Sequence, residues 1–141
     1  MASTVSNKIK YLIATGAIDF ENDSFIICLM DPGFVFNKDT HHQYSDISGS
    51  ELNTAYGYTV KTKALAGVAV TEDDTNDRCS VTWNAVSWTA SGGAIGPTPG
   101  AIVIDDTATD DPILGYIDFG GDVTQADGGT GTITGLEFRI S

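Results

Sequence analysis

Between Arg78 and Ser91 the chain reads RCSVTWNAVSWTAS and carries both tryptophans. Cys79, Val81 and Trp83 alternate with Ser80, Thr82 and Asn84, a period of two in strand-favouring residues. After Asn84 the apolar positions change phase to Val86 and Trp88. A phase change of one residue inside a strand is what a β-bulge produces. The pattern therefore predicts one long central strand, bent near Asn84–Ala85, with Trp83 and Trp88 anchoring a single core. Burying an indole contributes a few kcal/mol at roughly 25 cal/mol per Å².

Helical spacing is found at the N-terminus, where Val5, Ile9, Leu12 and Ile13 predict a helix over Ser3–Thr15 with Gly16 just beyond its end. Ala17–Phe20 reads as extended and Glu21–Asp23 as a turn. Ser24–Met30 (SFIICLM) is apolar on both faces, as in a strand covered on both sides, and makes Ile27 a core residue. Asp31-Pro32-Gly33 ends it. Asn37–Ser50 reads as a long irregular loop, Tyr56–Leu65 as an alternating strand, and Val68 and Val70 as the lead into an acidic turn. Ser91–Gly100 (SGGAIGPTPG) reads as a Gly/Pro loop and Ala101–Ile104 as a short strand. Ile113–Phe119 alternates, with Ile113, Gly115, Ile117 and Phe119 on one face, which makes Phe119 a core anchor. Gly120–Gly131 reads as a turn region, and Thr132–Ile140 as the last strand, which places Phe138 inside. The sum is an all-β fold: a single antiparallel β-sandwich or jelly roll over 17–141, preceded by a short helix or arm over 1–16.

A chain of 141 residues, 41% hydrophobic, is long enough for a sizeable core and too short for two domains. Nineteen acidic against seven basic residues give a formal charge of −12, which disfavours nucleic acid and anionic lipid as partners. Six of the seven basic residues precede Cys79; only Arg139 follows. Met1–Lys10 lacks the apolar run of a secretory signal, and no stretch has the length of a membrane span, so folding in a cytoplasm is expected. Cys28 and Cys79 fall in apolar strand patterns. Two cysteines allow one bridge but make no disulfide framework.

Candidate chemistry is sparse. Adjacent His41 and His42, with Asp39 and Asp46 nearby, match no zinc spacing, because neighbouring side chains in an extended segment point apart. Glu72–Asp77 and Asp105–Asp111 hold oxygen ligands suited to calcium but lack the glycine and terminal glutamate of an EF-hand loop. As clustered turn carboxylates they read first as solvated loops. No GxSxG surrounds a serine, and the glycines at 128–131 have no following lysine to make a phosphate loop. No catalytic, cofactor-binding or metal-binding residue is assigned, and no enzyme activity is expected.

The segments NKIKYLIATGAIDF (7–20), TEDDTNDRCSVTWNAVSWTAS (71–91) and GYIDFGGD (115–122) resemble small all-β structural proteins of tailed bacteriophages, of the capsid decoration or cement type. The resemblance implies a virion component on the head surface, assembled in the host cytoplasm. It would form a homotrimer and bridge subunits of the major capsid protein. Under that reading Lys8, Lys10 and Tyr11 on the N-terminal helix are the candidate capsid contacts. The alternative is a tail or host-recognition component, in which Tyr44 and Tyr56 would stack on a receptor glycan.

Overall fold

The computed structural model describes residues 2–141. Their strands are β1 (Ala2–Val5), β2 (Phe25–Leu29), β3 (Lys63–Ala64), β4 (Ala69–Asp73), β5 (Arg78–Thr82), β6 (Val86–Thr89), β7 (Ile95–Asp105), β8 (Ile113–Gln125), β9 (Thr130–Ile133) and β10 (Glu137–Ile140). One α-helix, α1 (Asn7–Ala14), and two 3-10 turns, Tyr44–Asp46 and Ser48–Ser50, complete the secondary structure. The fold is all-β with one short helix, and its strands pair antiparallel in three sheets ordered β1-β8-β7-β2-β3, β10-β5-β4 and β6-β9.

The two-sided apolar run explains the layering. Every residue of β2 is buried. Phe25, Ile27 and Leu29 face one core with Ala101 and Val103 of β7 and Leu114 and Ile117 of β8. Val81, Trp88, Ile133 and Phe138 close that core from the two smaller sheets, with Trp83 from the segment between β5 and β6. Ile26, Cys28 and Met30 face the other way, with Ile102, Ile104, Ile113 and Tyr116, and are covered by Ile47, Phe34, Phe36 and Tyr44. The stretch expected to be a polar loop at 37–50 thus lies over the second face of the sheet.

The predicted long strand over Arg78–Ser91 is two strands in different sheets. Asn84 breaks it: its amide donates to the Ala66 carbonyl at 2.9 Å. Its side chain occupies the space where a side chain on Gly67, held at φ +69°, would lie. Trp83 and Trp88 are each 7% exposed and share one core, Trp83 against Phe25 at 5.3 Å and Trp88 against Tyr58 at 6.2 Å between ring centroids. The apolar phase changes there through a change of sheet and not through a bulge. A bulge does occur in β8, where Val103 pairs with Gly115 while Ile104 pairs with Ile113. The extra residue, Leu114, turns inward, so Ile113 and Ile117, expected on one face, lie on opposite faces.

Other boundaries move for local reasons. The helix begins at Asn7, not Ser3, because Ser6 caps it: the Lys8 amide donates to Ser6 Oγ at 3.2 Å. Ala2–Val5 instead pairs with β8. At the other end Gly16, φ +74°, and Ala17 return hydrogen bonds to Ile13 and Leu12, a Schellman closure. β7 runs through the expected Gly/Pro loop from Ile95, with its pairing irregular where Pro97 and Pro99 lack an N–H. β8 continues through Gly120–Gln125, inside the expected turn region. Of Tyr56–Leu65 only Lys63–Ala64 is strand; Tyr56 and Lys61 adopt φ +53° and +51°. The last predicted strand divides at 134–136 into β9 and β10. Cys28 and Cys79 are both free thiols.

Gly115 sits where a Cβ would lie 2.3 Å from the Thr4 carbonyl oxygen and 2.5 Å from Phe138 Cε1. Gly115→Ala is therefore expected to push β1 off the sheet edge and lower stability by about 1–3 kcal/mol, read from the urea midpoint.

Candidate functional site

Three constellations combine unusual chemistry with unusual placement. The first is centred on Glu51, 3% exposed at the end of the second 3-10 turn. Residues 50–52 run antiparallel to the end of β2: Leu52 N–H donates to Leu29 O, and Asp31 N–H to Ser50 O. This docking carries the Glu51 side chain under the sheet. Its carboxylate accepts from Tyr44 Oη and Tyr58 Oη, each at 2.5 Å, and from the Lys61 amide at 2.8 Å. Tyr58 Oη in turn accepts from the Leu29 amide at 2.9 Å. Above it, Lys61 Nζ reaches Asp111 at 2.6 Å and Asp106 at 3.6 Å, and lies 5.0 Å from the Tyr44 ring centroid.

Burial pushes the Tyr58 and Tyr44 hydroxyls well up, reinforced by the Glu51 carboxylate each one meets. Burial likewise raises the Cys28 thiol, so Cys28 stays protonated and is no nucleophile at neutral pH. The hydrogen bond to Asp111 raises Lys61. Every donor here faces an acceptor. The cluster ties the chain on either side of β2 together and offers neither a free base nor a reactive thiol.

The second constellation is Asp105, at the end of β7 and fully buried. Oδ1 accepts from the Thr107 and Ala108 amides at 2.8 and 3.1 Å, while Oδ2 has no hydrogen-bond partner. Burial pushes its carboxyl up to about 6, and the Asp23 carboxyl beside it adds to the rise.

The third is an apolar recess of about 230 Å³ between the β6-β9 ribbon and the outer half of the β7-β8 hairpin, lined by Leu29, Trp88, Ile95, Phe119, Val123 and Ile133. Phe119, expected as a core anchor, is only half-buried there, whereas Ile27 and Phe138 are fully buried.

The expected partner contacts separate. On α1, Lys10 and Tyr11 are exposed, Tyr11 at 60%, and Lys8 Nζ lies 4.9 Å from the Tyr11 ring centroid. Tyr44 is half-buried and its hydroxyl is committed to Glu51, so it belongs to the first constellation rather than to a free surface. His41 accepts from the Asn37 amide and stacks on Phe34; His42 Nε2 bonds the Asp39 carbonyl. Asp73 accepts from the Asn76 side chain and from Arg78, and both hold its carboxyl low. Among the described residues no three His, Cys, Asp or Glu side chains converge as metal ligands. No helix of the described residues is long and apolar enough to cross a membrane.

Glu51, Tyr58 and Lys61 were not singled out by the sequence, and Asp105 only as the first residue of the acidic cluster Asp105–Asp111. A faint signal existed for Asp105, an aspartate closing an apolar run and followed by Asp-Thr, the pattern of a side chain capping its own turn. For Glu51 there was none, since only the fold carries it inward. Compared with protein-family profiles, with curated proteins and with solved structures, the chain finds no match in any of the three.

Two outcomes follow from these geometries. Glu51→Ala leaves Tyr44, Tyr58 and the Lys61 amide without their acceptor, and is expected to lower the unfolding free energy by about 3 kcal/mol or more in urea titration. For Asp105, the folded-state pKa lies above the unfolded one, so its contribution is full below about pH 4 and is lost as pH rises through about 6. Asp105→Asn keeps the Oδ1 acceptor and turns an amide N–H towards Asp23. Its melting temperature should exceed wild type at pH 7.5 by the equivalent of about 2 kcal/mol, with the difference shrinking toward pH 4.

Proposed function

We propose that the chain is a non-catalytic assembly component that binds an acidic partner surface through the α1 region, and that this role is capsid decoration in a tailed phage. The observation that carries the reading is the sorting of charge. The ion pairs of the described residues engage Lys38, Lys61, Arg78 and Arg139; of the three remaining cations Lys63 donates to the Ser87 carbonyl at 2.8 Å, and Lys8 and Lys10 lie on α1 beside exposed Tyr11. On a chain of net charge −12, this is a local cationic and aromatic face. Such a face suits many weak, repeated contacts, in which linked copies of a homotrimer raise the effective concentration of one another. The resemblance of segments 7–20, 71–91 and 115–122 to phage cement proteins supplies the partner, the major capsid protein.

One observation favours the second reading, a tail or host-recognition component. Tyr56 is 52% exposed and its ring lies against Gly93, where a Cβ would come 2.6 Å from it, and an exposed phenol ring is the kind of surface on which a sugar stacks.

Mixing the purified protein with phage heads lacking it, then pelleting, separates the two. Decoration predicts co-pelleting at a copy number comparable to the major capsid protein, weakened about tenfold or more by Lys8→Glu/Lys10→Glu. Absence from heads together with recovery on isolated tails contradicts it.

A further inference from the structure

We infer that Asp23 and Asp105 together hold a hard divalent cation, calcium, at the point where the chain enters β2 and leaves β7. The site holds with or without a capsid partner. Phe25 pairs with Asp105 at the end of the β2-β7 ladder. Two further bonds carry that register outward: the Ser24 amide donates to Thr107 Oγ1 and the Asp106 amide to Ser24 O, each at 2.8 Å. Asp23 is thereby set beside Asp105. Its own turn is closed by the Asp19 amide, which donates to Asp23 Oδ2 at 2.8 Å.

Asp105 is fully buried, and its Oδ1 is used twice, by the Thr107 and Ala108 amides. Oδ2 has no donor, and the Asp23 carboxyl lies within hydrogen-bonding reach of Asp105. Two carboxylates that close cannot both stay charged without a cation or a proton between them. No Lys, Arg or His of the described residues forms an ion pair with either one. Lys61 is held by Asp106 and Asp111, and Lys8 Nζ lies over the Tyr11 ring. A recess of about 510 Å³, lined by Asp23, Thr107, Thr109 and Asp110 and bordered by Lys8, gives an ion a way in and room for water. The pair presents only oxygen, which selects a hard cation. A buried Oδ2 requires the ion to shed water on that side, which calcium does more readily than magnesium. The described residues bring no third carboxylate to the pair, so water completes the shell. Affinity then falls at the weak end of protein calcium sites, roughly 0.1–1 mM.

Equilibrium dialysis against radioactive calcium and urea unfolding at pH 7.5 test the site on wild type, Asp105→Asn, Asp23→Asn and Asp74→Asn. Unfolding is compared in chelator, in calcium chloride and in sodium chloride of matched ionic strength. Wild type is expected to bind one calcium per chain, and about 10 mM calcium to raise its folding equilibrium constant about tenfold or more. Asp105→Asn and Asp23→Asn should each lose the bound ion and the gain. Asp74→Asn, which removes a carboxylate of the exposed 72–77 turn, should keep both. The advantage of Asp105→Asn over wild type, expected in chelator, should narrow in calcium. Circular dichroism establishes that each variant is folded, and either of the two site variants suffices if the other is not. No ion bound by wild type overturns the site, as does a gain that survives in the site variants. Equal stabilisation by sodium marks diffuse screening of the −12 charge and overturns it too. Stability that responds to pH but not to calcium assigns the pair to a shared proton and rejects the ion.

Discussion

Glu51 accepts hydrogen bonds from Tyr44, Tyr58 and the Lys61 amide, and through them fastens separate stretches of chain to the back of β2. A carboxyl group at 3% exposure is costly unless its lone pairs are used. Here the fold supplies three donors, and the loops that carry them cannot leave the sheet without stripping the carboxylate of its partners. That constraint is what lets β2 be apolar on both sides. Ile26, Cys28 and Met30 would face water were the segment from Phe34 to Ile47 not held across them. The same requirement fixes the outer layer, since Lys61, which caps the Tyr44 ring, is drawn into place by Asp111 and Asp106.

Apart from Asp105 Oδ2, the buried polar side chains are committed to architecture, and the distinctive surface chemistry lies on α1. The buried thiol is raised, the half-buried tyrosine is bonded, and the paired histidines serve their own loop. Lys8 and Lys10 stay outside the ion pairs of the described residues. The proposed assembly role rests on Lys8, Lys10 and exposed Tyr11 of α1.

Much of the fold was legible in the residues because period-two apolar patterns and glycine-rich turns are local signals. The double-sided run at 24–30, the Gly16 helix end and the inward Trp83, Trp88 and Phe138 all follow from sequence spacing. Where spacing failed, a non-local partner decided. Asn84 leaves its strand to bond Ala66, Leu114 bulges so that β8 keeps register with β7, and Val5 joins a strand 110 residues away at Gly115. The alternation of Tyr56–Leu65 was real but misleading, since Tyr58 points inward to meet Glu51 and not to continue a sheet face. The Glu51 cluster itself was illegible, because its members at 28, 44, 51, 58 and 61 acquire meaning only after the chain folds over β2.

Native-state hydrogen exchange at the Lys61 amide tests this dependence most directly, since that N–H donates to the Glu51 carboxylate from a loop that otherwise has little regular structure. If the cluster holds the second face closed, the Lys61 amide exchanges only through global unfolding, at the same opening free energy as Ile27 and Val103 in the central strands. Exchange at the rate of the neighbouring exposed loop amides, with β2 and β7 still protected, would contradict the account and show that the cover opens independently of the sheet.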